Sequence, residues 1–164
     1  MPYVYGYGGA LRCIGQALER QEIVVFDLKS YACEFRLECG DPRPPYARIV
    51  RLSYSVADLE RLEAEGRARR RMGSSPVDFG SLPEILRAVG SYIDHRSGHL
   101  LRVCNARVEP VIEVEYETMG RRLQHELLPL PAILEASTRM HQKRVKAQGG
   151  ISSLGPLRKS HRSR

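Results

Sequence analysis

Leu11-Arg-Cys-Ile-Gly-Gln-Ala-Leu-Glu19 and Leu86-Arg-Ala-Val-Gly-Ser-Tyr-Ile-Asp94 decide how this chain is read, because they look like one helix written twice at an offset of 75 residues. Leu, Arg and Gly are identical, while Ile/Val, Leu/Ile and Glu/Asp are matched in kind. The same offset lays Tyr7, Leu11, Ile14 and Leu18 on Leu82, Leu86, Val89 and Ile93. Those positions follow the three-to-four-residue rhythm of one buried helix face. Ser81-Leu-Pro-Glu84 opens the second copy with a capping-box pattern and an early proline. The paired Gly15 and Gly90 each cost about 1 kcal/mol relative to alanine inside a helix. Their presence predicts a close approach of helix to sheet.

Outward from these helices the parallel continues. After the first come two β-rich runs, 23–29 and 32–39, in which Cys33, Phe35, Leu37 and Cys39 alternate with Glu34, Arg36 and Glu38. After the second come 99–104 and 110–118, where Ile112, Val114 and Tyr116 alternate with Glu113, Glu115 and Glu117. Period-two alternation gives each hairpin one buried and one wet face. A third run follows in each half, 47–54 and 121–128, the latter after a tight Met119-Gly120 turn. A proline-rich loop, 40–46, stands at the matching place in the first half, and 105–109 is an insertion in the second. Each half closes with a helix: Ser55-Val-Ala-Asp58 starts one with a capping box, and Ile133, Leu134, Ser137, Met140 and His141 share a face of the other.

The expected fold is α+β, an internally duplicated α-β-β-β-α unit. Its two layers are an antiparallel sheet, continuous or in two abutting parts, and helices packed on one face. The expected organisation is a lead-in at 1–7, a first repeat at 8–72, a linker at 73–80, a second repeat at 81–145 and a basic flexible tail at 146–164. The element order resembles that of the double-stranded-RNA-binding domain, and each half has about its length. The pattern also resembles duplicated helix-and-sheet saddles of the TATA-binding type. The RNA-binding family places a basic patch at the start of its second helix, where Asp58, Glu60 and Glu135 stand here. The resemblance is one of topology, and function does not follow from it.

The 164 residues are 42% hydrophobic and 27% charged, a globular composition with a net charge of +7. Five of those charges, Lys146, Arg158, Lys159, Arg162 and Arg164, lie in an acid-free C-terminal segment, so the residues before it carry +2. Basic charge points to polyanions, and it concentrates in two places. Arg67, Arg69, Arg70 and Arg71 end the first closing helix; Lys143, Arg144 and Lys146 end the second. Cations at a helix C-terminus gain about 0.3–1 kcal/mol from the macrodipole, but four arginines in five positions exceed that need. These residues and the tail are the candidate contacts to RNA or DNA backbone, by charge and with a strong salt dependence. The alternative is a protein-interaction module, with a partner protein or a second copy on the sheet face or edges.

No phosphate-loop, dinucleotide, nucleophile-elbow or zinc-protease pattern is present, so no enzyme activity and no cofactor is expected. Cys13, Cys33, Cys39 and Cys104 lack metal-ligand spacing and are expected to be reduced, with Cys33 and Cys39 on an apolar strand face. His95 and His99 are four apart, but Ser97-Gly98 ends the helix between them, so a metal pair is not expected. The glutamates at 113, 115 and 117 repel one another and are expected to find cross-strand partners among Arg36, Arg102, Arg121 and Arg122. No apolar run approaches the roughly 18–20 residues needed to span a bilayer, and the N-terminus is unlike a secretory signal. A cytosolic protein is the expectation.

Overall fold

The computed structural model describes residues 6–21, 23–40, 49–70, 81–106 and 111–152. The elements run α1 (Gly6–Glu19), β1 (Val24–Ser30), β2 (Glu34–Gly40), β3 (Ile49–Ser55), α2 (Val56–Arg70), α3 (Leu82–His95), β4 (His99–Ala106), β5 (Val111–Glu117), β6 (Leu123–Pro129) and α4 (Leu130–Ser152). The strands form one continuous antiparallel sheet in the order β3-β2-β1-β4-β5-β6. The chain is therefore α+β, with four helices and a six-stranded sheet among the described residues. Residues 1–5 of the expected lead-in, the expected linker, residues 41–46 of the proline-rich loop and the segment 153–164 lie outside the described residues.

Alternation and helical period meet in one core. All eight positions read as the buried faces of α1 and α3 are buried, from Tyr7 to Ile93. They pack with Phe35, Leu37 and Cys39 of β2 and with Ile112, Val114 and Tyr116 of β5. A fully buried side chain of this size contributes about 1.5–3 kcal/mol relative to exposure, so these positions dominate the fold's stability. The alternate residues, among them Arg36, Glu38, Glu113 and Glu115, face away from the core.

The two helical glycines do something other than the sequence suggested. A β-carbon on Gly15 would lie 2.6 Å from Pro83 Cα, and one on Gly90 would lie 2.5 Å from the Tyr7 carbonyl carbon and oxygen. The close approach is thus helix to helix, α1 against α3 running antiparallel. Sequence periodicity identifies a buried face but cannot say which neighbour covers it.

Capping also differs between the halves. Before α2 the reciprocal box forms: Ser55 N–H donates to Asp58 Oδ2 at 2.9 Å and Asp58 N–H to Ser55 Oγ at 3.2 Å. These contacts hold the Asp58 carboxyl below its ordinary range. Before α3, Ser81 makes no side-chain cap, and Glu84 instead pairs with Arg87 at 2.7 Å. The N-terminus of α1 is capped from another helix, with Asp94 accepting from Tyr7 N–H and Gly8 N–H at 3.0 Å each.

The central ladder joins β1 to β4, with Leu28 opposite Val103. Each of these strands breaks register with its outer neighbour, between Val25 and Asp27 and between Leu100 and Arg102, steps that lie 75 positions apart. At the C-terminal end, residues 146–152, read from sequence as the start of the tail, continue α4. Cys33 is not on the apolar face of β2: it lies exposed in the bend before Glu34, where Tyr31 N–H bonds to Glu34 O. The hairpin turn claims it, and the strand begins one residue later.

Candidate functional site

The cationic candidates occupy the last turn of α2 and the middle of α4, which the sequence pattern ends at these cations but which runs on to Ser152. Arg67 reaches back to Glu63 at 3.2 Å, and Glu63 also accepts from the Cys13 thiol at 3.1 Å. Arg69 and Arg70 are the final two residues of α2. Arg71 falls outside the described residues, as do Arg158, Lys159, Arg162 and Arg164. In α4, Lys143 and Lys146 are exposed and Arg144 stands between them in the helix. Each helix is anchored near its start by one buried residue, Leu59 in α2 and Ile133 in α4. In each helix, cations follow that anchor ten and eleven positions later.

The outward face of the sheet is a different electrostatic surface. Asp27, Glu34, Glu38, Glu113, Glu115 and Glu117 share it with Lys29, Arg36, Arg51 and Arg102, so acids outnumber bases. The three arginines are engaged. Arg102 holds Asp27 in a bidentate pair, Nε to Oδ1 at 2.8 Å and Nη2 to Oδ2 at 3.2 Å. It also stands opposite Glu115 in the ladder. Arg36 pairs with Glu34 on its own strand and stacks over Tyr31, 4.6 Å from the ring centre, while Arg51 reaches Glu38. Of the partners expected for the glutamate row, Arg102 stands beside Glu115, whereas Arg121 and Arg122 lie exposed in the turn after β5. A shallow hollow of about 310 Å³ on this face is lined by Lys29, Arg36, Glu38 and Arg51, and both of its arginines are already paired with glutamates.

Asp27 and Arg102 were not recognisable as partners from residue type alone. The signal was the offset: 27 and 102 are 75 apart, like the matched helix positions, and an antiparallel β1–β4 ladder centred on Leu28 and Val103 brings such positions together.

The histidines separate as the helix end predicts. His95 Nδ1 bonds to Ser91 O at 2.7 Å, and His99 Nδ1 to the Tyr7 hydroxyl at 3.1 Å. Among the described residues no group of three or more His, Cys, Asp or Glu could hold a metal ion, and no described helix is long and apolar enough to cross a membrane.

The thiols are poor nucleophiles where they are buried. Burial pushes the Cys39 thiol up to about 12, and burial with the neighbouring Asp27 carboxylate pushes Cys104 up to about 11. Since the thiolate is the reactive form, alkylation at pH 8 is expected at Cys33 first, with Cys39 and Cys104 protected until unfolding. Peptide mass spectrometry after a short iodoacetamide pulse checks this, and early labelling of Cys39 contradicts it. The sign for stability follows. Above the ordinary thiol value of 9.0 the unfolded chain ionises before the folded one, so stability falls as pH rises from about 9 towards 12.

No family model, curated protein or solved structure matches this chain.

Proposed function

We propose that the chain is a non-catalytic protein built from two copies of one α-β-β-β-α unit. It grips a polyanion, RNA or DNA backbone, by the cations that end α2 and stand midway along α4. One observation carries this reading. Counted from each strand–helix junction, Arg69 and Arg70 are residues 14 and 15 of α2, and Lys143 and Arg144 are residues 14 and 15 of α4. Cations thus recur at matching places on both helices, with a third, Lys146, exposed beyond them.

The duplication is supported by three coincidences of position. The central ladder is centred on Leu28 and Val103, 75 apart, as a twofold between copies requires. The two register breaks are 75 apart. Gly15 meets Leu82 and Pro83, while Gly90 meets Tyr7 and Gly8, the same contact written from either side. In this reading the helices form one layer and the sheet the other, and the acid-rich outer face of the sheet is no platform for nucleic acid. Phosphates meet the helix cations.

The test is a mobility shift at about 50 mM salt, where phosphate-driven binding is strongest. The full chain shifts both RNA and DNA. A variant with Arg69, Arg70, Lys143 and Arg144 replaced by alanine loses most of the shift, and its salt slope falls by about 0.9 for each phosphate contact removed. Truncation belongs after Ser152, because α4 runs that far and a cut after Arg144 would sever it. Absence of any shift by the full chain overturns the proposal.

A second reading, self-association, is favoured by Ile49 and Leu123. These are 64% and 66% exposed on the two edge strands, where unpaired backbone groups also lie. Sedimentation beside the binding assay separates the two.

A further inference from the structure

One cleft stands open in the second half of the chain. It lies between α3, the end of β6 and the start of α4, with a volume of about 340 Å³. That is within the range of small-ligand sites. Ala88, Leu128, Ala132 and Ala136 give it an apolar lining of mostly short side chains. Counted from the strand–helix junction, the position of Leu128 is held by Tyr54 in the first half, and that of Ala136 by Leu62. Tyr54, Leu62 and Leu128 all pack against the core. The buried anchors themselves, Leu59 and Ile133, are alike. Ala136 is therefore a place where the second half carries the smaller side chain.

The cleft has one polar end. There Arg96 lies over the Tyr92 ring, 3.4 Å from its centre, and its Nη1 bonds to the Tyr92 carbonyl at 3.3 Å. The Tyr92 hydroxyl is in turn held by Glu126, which also accepts from Tyr116 at 3.0 Å. The guanidinium is thus held at the rim by the ring beneath it and by a hydrogen bond to the Tyr116 side chain, with the exposed His95 beside it. A planar guanidinium offers parallel N–H donors that match a carboxylate. An apolar trough closed at one end by an oriented cation suits a molecule with an apolar body and one terminal carboxylate.

We propose that this cleft binds a small aliphatic monocarboxylate, its chain between Ala132 and Ala136 and its carboxylate on Arg96. The site is independent of the polyanion contacts, which lie further along α2 and α4.

The experiment titrates octanoate, and 1-octanol as the uncharged match, into the full chain, followed by ¹H–¹⁵N correlation spectra and calorimetry. Octanoate is expected to bind saturably below about 1 mM, with shifts confined to α3, the end of β6 and the first turns of α4. Ala136→Leu places the first half's leucine in the trough and abolishes binding of both probes, with cooperative thermal unfolding kept as the check on folding. Arg96→Gln weakens octanoate roughly tenfold and leaves octanol unchanged. No saturable binding by the unsubstituted chain, shifts spread over other elements, or a well-folded Ala136→Leu chain that binds as before would each overturn the proposal. Equal loss of octanoate and octanol in Arg96→Gln would overturn the role of the cation.

Discussion

Gly90→Ala is expected to unfold at a lower temperature than the parent chain, although alanine is the better helix former. Propensity alone favours the substitution by about 1 kcal/mol. Against it, the new β-carbon would lie 2.5 Å from the Tyr7 carbonyl carbon and oxygen and 2.6 Å from Gly8 N. Those are backbone atoms, so no side chain can turn aside and α1 itself must shift. Overpacking of this kind costs about 1–3 kcal/mol and occasionally more, here at the upper end because the obstacle is rigid. The net loss is about 2 kcal/mol, a fall in Tm of roughly 4–8 °C for a chain of this size. Gly15→Ala meets Pro83 Cα at 2.6 Å and behaves alike. Gly66→Ala is the control. Its β-carbon meets only the end of the Gln16 side chain, at 3.3 Å, so it stabilises by up to about 1 kcal/mol. Thermal melts of the three variants decide the matter; a Gly90→Ala chain as stable as Gly66→Ala removes the close helix contact.

The second large effect is expected from Asp27→Arg. Hydrogen bonds to charged groups contribute about 1.5–3 kcal/mol, and this pair is bidentate. The Asp27 side chain is 16% exposed but that of Arg102 is 40%, so solvent screening trims the gain. Replacing the acid by a second cation adds repulsion. The expected loss is about 2 kcal/mol, read from urea unfolding. The exchanged pair, Asp27→Arg with Arg102→Asp, is expected to recover most of it, a coupling of at least about 1 kcal/mol. Additive effects in that cycle would mean the two side chains act separately.

How far the sequence carried is visible residue by residue. Leu11, Ile14, Leu18 and their matches in α3 were legible because a helix face is written locally, in a rhythm only burial explains. The strands were legible for the same reason, through Phe35, Leu37, Ile112 and Val114. Ser55 and Asp58 formed their cap because both partners lie within four residues. Where a partner came from elsewhere in the chain, local reading failed: Asp94 caps α1 from another helix, Glu84 prefers Arg87 to Ser81, and the glycines face a helix, not the sheet. Cys33 was misplaced by one residue, at a strand boundary, where period two cannot say when a strand begins. The cationic candidates rest on charge alone. The cleft beside Tyr92 was not found, because alanines announce nothing until the space they leave is measured.

The seam between β1 and β4 also has a consequence for how the chain reaches this state. The β1–β2, β2–β3, β4–β5 and β5–β6 pairings each join neighbouring strands, and the loops they close are short. The β1–β4 ladder and the α1–α3 contact link residues about 75 positions apart. Long-range closure is the slow part of folding. Each half can therefore assemble before the seam closes, holding one unpaired strand edge and one bare helix face until its sibling arrives. In a concentrated solution the first sibling to arrive can belong to another molecule, which makes exchange of halves the characteristic misassembly of this architecture.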